Sequence, residues 1–75
     1  MSFHIDDIVL DDCRVFVFPT YISVQSLDDT KGRTIFHCEW LRTHSSEDIR
    51  RELNGYLPTS TIESFIRWME LRAFD

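Results

Sequence analysis

The stretch Arg14-Val-Phe-Val-Phe18-Pro-Thr-Tyr21-Ile-Ser-Val-Gln-Ser-Leu27 carries a clear β-strand pattern. β-branched and aromatic residues dominate it on both sides of Pro19, which is the composition of β-strands. Because proline cannot donate a hydrogen bond to a sheet, it marks a bend or a junction. The stretch therefore predicts two strands, or one bent strand, within a small sheet.

Further strands are predicted on both sides of this stretch. Residues 3–10 form a first strand that ends at the turn Asp11-Asp12, since paired aspartates accept local backbone hydrogen bonds. Asp28-Asp-Thr-Lys-Gly32 is predicted as a hairpin loop, because Gly32 can adopt positive φ at its end. The sheet thus contains three or four antiparallel strands.

Residues 33–42 are predicted as the last strand, and its two-residue period assigns the faces of the sheet. The predicted core face comprises Phe36, Cys38 and Trp40. The opposite face comprises Ile35, His37, Glu39 and Leu41. With Tyr21, the apolar residues of that second face predict an exposed patch of the kind that meets a partner or a second copy of the chain.

From residue 45 the apolar residues follow a helical period. A first helix begins at Ser45 or Ser46 and ends at Gly55, and its apolar stripe is Ile49, Leu53, Tyr56 and Leu57. Pro58 separates it from a second helix, which the capping box Ser60-x-x-Glu63 begins. The apolar stripe of the second helix is Ile62, Phe65, Ile66, Met69 and Ala73.

Together these elements predict one α+β domain over residues 1–75. Residues 1–42 form the antiparallel sheet, and residues 45–73 form a helical hairpin that packs on one face of it. The chain is 43% hydrophobic, which suffices for a core without a metal or a disulfide. It has no apolar run of membrane-spanning length and no signal peptide, so we expect a cytoplasmic protein.

Acidic charge is concentrated in the first half of the chain. The formal net charge is −5, and residues 1–32 contribute −4 of it through three Asp-Asp pairs. This sign disfavours binding to a phosphate backbone, so a nucleic-acid partner is not expected. Acidic turns are ordinary solvated turn chemistry, but clustered like charge also steers association with a basic protein surface.

The sequence contains no motif for catalysis, a metal or a cofactor. Cys13 and Cys38 lack metal-site or redox spacing, and His37 and Cys38 point to opposite faces of a strand. Asp11 and Asp12 raise the pKa of the Cys13 thiol, which opposes a nucleophilic role. The aspartate pairs do not follow the spacing of a calcium loop. We therefore expect no enzyme, no metal and no cofactor.

Two functions remain. The first is a non-catalytic protein-interaction module, an inhibitor or adaptor of the size and acidity common among phage and mobile-element proteins. Its expected partner is a protein with a basic surface, such as a nucleic-acid-binding protein. The residues assigned to this contact are Asp11, Asp12, Asp28, Asp29, Tyr21 and Ile35.

The second function is a helix-turn-helix transcription regulator that uses residues 46–72. The short first helix, the turn at Gly55 and the hydroxyl residues that begin the second helix favour it. Against it, Glu63 lies near the start of the second helix, where base-reading helices carry basic residues. The interaction module is therefore the preferred interpretation.

Overall fold

The structure is a computed structural model, and it describes residues 5–72 apart from the side chain of Asp29. A four-stranded antiparallel sheet comes first in the chain and the helices come after it, which is the α+β order predicted from the sequence. The strands are β1 (Asp6–Leu10), β2 (Cys13–Val17), β3 (Tyr21–Ser26) and β4 (Arg33–His37). The helices are α1 (Cys38–Thr43), α2 (Ser46–Leu53) and α3 (Thr59–Leu71).

The strands form a simple meander in the order β1-β2-β3-β4. The alternative of two strands around Pro19 is the correct one, because Phe18 and Tyr21 close a tight turn through an N–H to carbonyl bond of 2.8 Å. In the β3–β4 loop, Asp29–Lys31 form one turn of 3-10 helix, and Gly32 comes next at φ 69°. The predicted hairpin loop is thereby confirmed.

The inner face of the sheet carries the core. Its buried residues in register across β2, β3 and β4 are Cys13, Val15, Val17, Ile22, Val24 and Phe36. From the helices, the buried residues are Ile49, Leu53, Leu57, Ile62, Phe65, Ile66 and Met69. The Phe36 and Phe65 rings lie 5.9 Å apart, in agreement with the predicted packing of the helical hairpin on one face of the sheet.

The prediction of a strand over residues 33–42 was wrong in its second half. The β3–β4 register ends at the Tyr21–His37 pair, and Cys38 N–H makes one more bond, of 2.9 Å, to the Thr20 carbonyl. Beyond that point the turn at Pro19 leaves no partner strand. The backbone then satisfies its hydrogen bonds internally by forming α1.

This change moves four residues that had been assigned to sheet faces. Cys38, Glu39, Trp40 and Leu41 all belong to α1. Trp40 still meets Phe36, with ring centroids 5.5 Å apart, but it is only half-buried at the margin of the core. Leu41 packs partly against the core and does not lie on the second sheet face.

The predicted start of α2 is confirmed, but α2 ends at Leu53 rather than at Gly55, and the predicted cap of α3 is not formed. Ser45 is the N-cap of α2, and its capping box is completed by Asp48. The predicted capping box of Ser60 with Glu63 was wrong, because α3 begins at Thr59 after Pro58 and has no side-chain cap. The predicted stripe residues Ile62, Phe65, Ile66 and Met69 are buried, and Ala73 lies outside the described residues.

Candidate protein-binding surface

The second face of the sheet, here called the outer face, is not covered by any helix among residues 5–72. The strand register places on it Asp7, Val9, Arg14, Phe16, Tyr21, Ser23, Gln25, Arg33, Ile35 and His37. Val9 is 57% exposed and Ile35 is 42% exposed. Val9 lies on β1 and Ile35 on β4, so these two exposed apolar side chains stand on the two end strands of the face.

Aromatic rings occupy the end of the outer face next to the β2–β3 turn. Phe18, directly after β2, stacks on Tyr21 with ring centroids 4.5 Å apart and planes 16° from parallel. The His37 ring lies 6.0 Å from the Tyr21 ring. Phe16, Phe18 and Tyr21 are half-buried, so this end presents a rigid aromatic surface with few side-chain rotamers to order on contact.

Acidic residues occupy the opposite end of the sheet, here called the acidic end. It comprises the β1–β2 turn, which holds Asp11-Asp12, and the β3–β4 loop, which holds Asp28-Asp29. The meander places both connections at the same end of the strands. Leu27 N–H donates to the Asp12 carbonyl over 3.0 Å, which joins the two turns directly. The structure thus brings together acids that are 16 positions apart in the sequence.

Two of these carboxylates also stabilise the local fold. Asp12 accepts a 2.9 Å bond from the Thr61 hydroxyl, which is fully buried at the start of α3. Asp28 accepts bonds from the Thr30 hydroxyl and backbone N–H, at 2.7 and 3.1 Å. These bonds from Thr30 lower the pKa of Asp28, so it stays charged below the usual range of a carboxyl group.

The residues assigned to the contact from the sequence therefore fall into two groups. Asp11, Asp12, Asp28 and the backbone of Asp29 lie at the acidic end, whereas Tyr21 and Ile35 lie on the outer face, with Tyr21 at its far end. Sequence reasoning missed Val9 and Phe16 on this face. The two-residue period of β1 and β2 carried that signal, but only the strand register shows which set faces outward.

Two arginines lie on the outer face between its aromatic end and the acidic end, in the row of the sheet that also holds Val9. Arg14 and Arg33 lie in one row across the sheet with Gln25 between them. Asp7 is the one acid on the outer face, so the face itself is not acidic. The acidic residues are therefore concentrated at the end of the sheet rather than over its apolar surface.

Burial defines the surroundings of Cys13, and ring stacking and a hydrogen bond define those of His44. Burial, together with Asp12 and Asp11, raises the pKa of Cys13 to about 11, so its thiol is protonated at neutral pH. His44 stacks on Trp40 at 4.0 Å, and its Nδ1 is 2.8 Å from the Trp40 carbonyl oxygen. No three His, Cys, Asp or Glu side chains within residues 5–72 are close enough to hold a metal ion.

The α2–α3 pair uses most of its arginines in ion pairs. Arg50 donates from Nε and Nη2 to both Glu63 carboxylate oxygens, at 2.7 and 2.9 Å, and also bonds Glu47. Arg51 pairs with Asp48 at 3.0 Å, and Arg72 pairs with Asp6 at 2.6 Å. Of the α2 and α3 arginines, Arg67 alone makes no ion pair with any residue of the described chain.

No protein-family model, curated protein or solved structure matches this chain. Within residues 5–72, no helix combines the length and apolar character needed to cross a membrane.

Proposed function

We propose that this protein is a non-catalytic interaction module that docks on a larger protein through its outer face. The observation that carries the proposal is the exposure of Val9 and Ile35 on a sheet face that no described helix covers. Burying these residues with the half-buried aromatic rings provides the apolar centre that protein interfaces use for affinity.

The acidic end supports a partner with a basic surface. Asp11, Asp12 and Asp28 are exposed and lie together at the acidic end. Clustered charge of one sign accelerates encounter with a surface of the opposite sign and orients it. A nucleic-acid-binding protein is such a partner, and docking would block or adapt its basic surface.

The test is affinity capture from a lysate of the source organism with the wild-type chain and a Val9→Arg variant. We expect one protein to be captured by the wild type and lost with Val9→Arg, because the new charge replaces an exposed apolar side chain of the outer face. Leu71→Arg is the matched control, since Leu71 is 84% exposed on α3. Equal capture by Val9→Arg and the wild type would overturn the proposal.

The helix-turn-helix regulator is the alternative, and Arg67, outside any ion pair with residues 5–72, is the observation that favours it. The Arg50–Glu63 pair at the start of α3 weighs against it, because it neutralises the end that would approach the bases. Titration with mixed duplex DNA separates the two functions. Binding at about 50 mM salt that weakens as salt rises would favour the regulator.

A further inference from the structure

The outer edge of β4 is open within the described chain. β4 is the last strand of the sheet and pairs only with β3. An open edge presents a row of backbone donors and acceptors that another strand can join. Its surroundings therefore decide whether the edge is protected or available.

The register shows which backbone groups point outward. Cys38 N–H bonds to Thr20 on the β3 side, and backbone groups alternate in direction along an antiparallel strand. Phe36 and Thr34 therefore face β3. The N–H and C=O groups of Arg33, Ile35 and His37 face away from it.

A groove runs along this edge. It is lined by the consecutive residues Thr34, Ile35, Phe36 and His37 and by the side chains of Trp40 and Glu52, with a volume of about 150 Å³. Because Ile35 and Phe36 belong to opposite faces of the sheet, the groove must pass along the strand edge itself. It is smaller than the roughly 300 Å³ of the smallest usual small-molecule sites, so it suits one side chain of an extended segment.

The two edges of the sheet differ in protection. β1 begins with Asp6 and Asp7, and α3 packs beside it through the Asp6–Arg72 pair. Charges and a covering helix are the usual protection of an edge. β4 carries one charged residue, Arg33 at its start, and has neither proline nor lysine. Its register with β3 has no bulge, and Thr34, Ile35 and Phe36 have high β propensity.

We propose that β4 receives an extended segment of a protein partner as a fifth strand of the sheet. This inference rests on the proposed function, because the extended segment belongs to the larger protein on which the chain is proposed to dock. The groove fixes the chemistry of the segment. An apolar side chain packs against Phe36 and Trp40, and a lysine or arginine pairs with Glu52, which has no ion pair with residues 5–72.

The experiment uses the full chain to select binders from a phage-displayed library of random ten-residue peptides. We expect proline-poor peptides with alternating apolar residues and at least one basic residue. Amide hydrogen exchange supplies the direct readout: the Ile35 N–H exchanges fast in the free protein and becomes protected with peptide bound. Thr34 and Phe36 amides are protected in both states because they bond to β3.

Proline variants test the edge without touching the β3–β4 ladder. Ile35→Pro removes an outward N–H and should weaken peptide binding about tenfold, whereas Ile35→Val, which keeps the N–H, should not. Should Ile35→Pro fold poorly, Arg33→Pro removes another outward donor at the first strand position, where proline is tolerated, with Arg33→Gln as control. Equal binding by the proline variants and their controls would overturn the inference.

The remaining outcomes separate this inference from the proposed function. Val9 lies three strand spacings from β4, about 14 Å, so Val9→Arg should leave peptide binding unchanged. Binding lost in Val9→Arg but kept in the proline variants would overturn the edge inference and leave the outer face as the docking site. Protection of the Ile35 amide without peptide, in a chain that sediments as a dimer, would show a second copy on the edge and overturn the inference.

Discussion

Tyr56 shows how one side chain joins two parts of the molecule. Its hydroxyl accepts a 3.1 Å bond from Ser26 N–H and donates a 2.5 Å bond to the Gly32 carbonyl. Lys31 Nζ is 3.3 Å from the Tyr56 carbonyl oxygen. The segment after α2 is thereby fastened to the β3–β4 hairpin, which positions Asp28 at the acidic end.

Replacing Tyr56 by Phe should lower the free energy of unfolding by about 1–3 kcal/mol, because the backbone N–H of buried Ser26 loses its acceptor. Urea unfolding at pH 7 measures the change. Tyr21→Phe is the matched control, since the Tyr21 hydroxyl makes no hydrogen bond within residues 5–72. Equal losses in the two variants would show that the Tyr56 hydroxyl does not fasten the hairpin.

The two thiols should differ strongly in reactivity. Cys13 is fully buried and its pKa is raised to about 11, so only about one molecule in a thousand carries the thiolate at pH 8. Cys38 is half-buried at the start of α1. Iodoacetamide at pH 8 should therefore modify Cys38 first, as read by peptide mass spectrometry. Modification of both thiols at one rate in the folded protein would contradict the position of Cys13 in the core.

Among the secondary-structure elements, α2 and α3 are joined on their exposed side by the Arg50–Glu63 pair. The side-chain bonds from Arg50 lower the pKa of Glu63, and Glu63 in turn raises the pKa of Arg50. The pair links residues 13 positions apart across the turn at Gly55. Glu63 thus stabilises the contact between the two helices rather than the start of α3.

The lowered pKa of Glu63 implies a stability contribution that is present above the unfolded value and lost in acid. This contribution should fall as the pH drops from about 4.5 through the lower, folded pKa. Glu63→Gln should therefore unfold more easily than the wild type at pH 7, and the difference should shrink by pH 2. Urea midpoints at several pH values measure it.

Glu70→Gln, an exposed change in the same helix, is the control for this pH series. Its urea midpoint should match that of the wild type at each pH. A pH-independent difference between Glu63→Gln and the wild type would show that the ion pair does not carry the effect. Asp28 and Asp48, whose pKa values are also lowered, retain their own acid dependence in every variant.

At the scale of the whole molecule, the acidic end and the outer face should contribute different kinetic properties of binding. Steering charges act on the association rate, whereas the apolar face, once buried, acts mainly on dissociation. The two surfaces lie on one rigid sheet but point in different directions. Variants at the acidic end should therefore change mainly the association rate, and variants of the outer face should change mainly the dissociation rate.

Asp28→Asn should slow association with the captured partner and flatten its dependence on salt, with little change in dissociation. Asparagine keeps an oxygen that can accept the Thr30 bonds, so the loop conformation is retained. Surface plasmon resonance at several salt concentrations measures both rates. Glu70→Gln on α3 is the control of equal charge change, and an unchanged association rate for Asp28→Asn would show that the acidic end does not steer.

The sequence alone determined the strands, the loops and the apolar stripes of α2 and α3, because local period and turn chemistry act over a few residues. The conformation of the segment after His37, in contrast, depends on contacts between distant parts of the chain. A strand needs a partner, and whether residues 38–43 have one depends on where the turn at Pro19 ends β3. The composition of the outer face also depends on the tertiary structure. The strand register sets which of the two alternating sets of side chains packs against the helices and which is exposed to solvent.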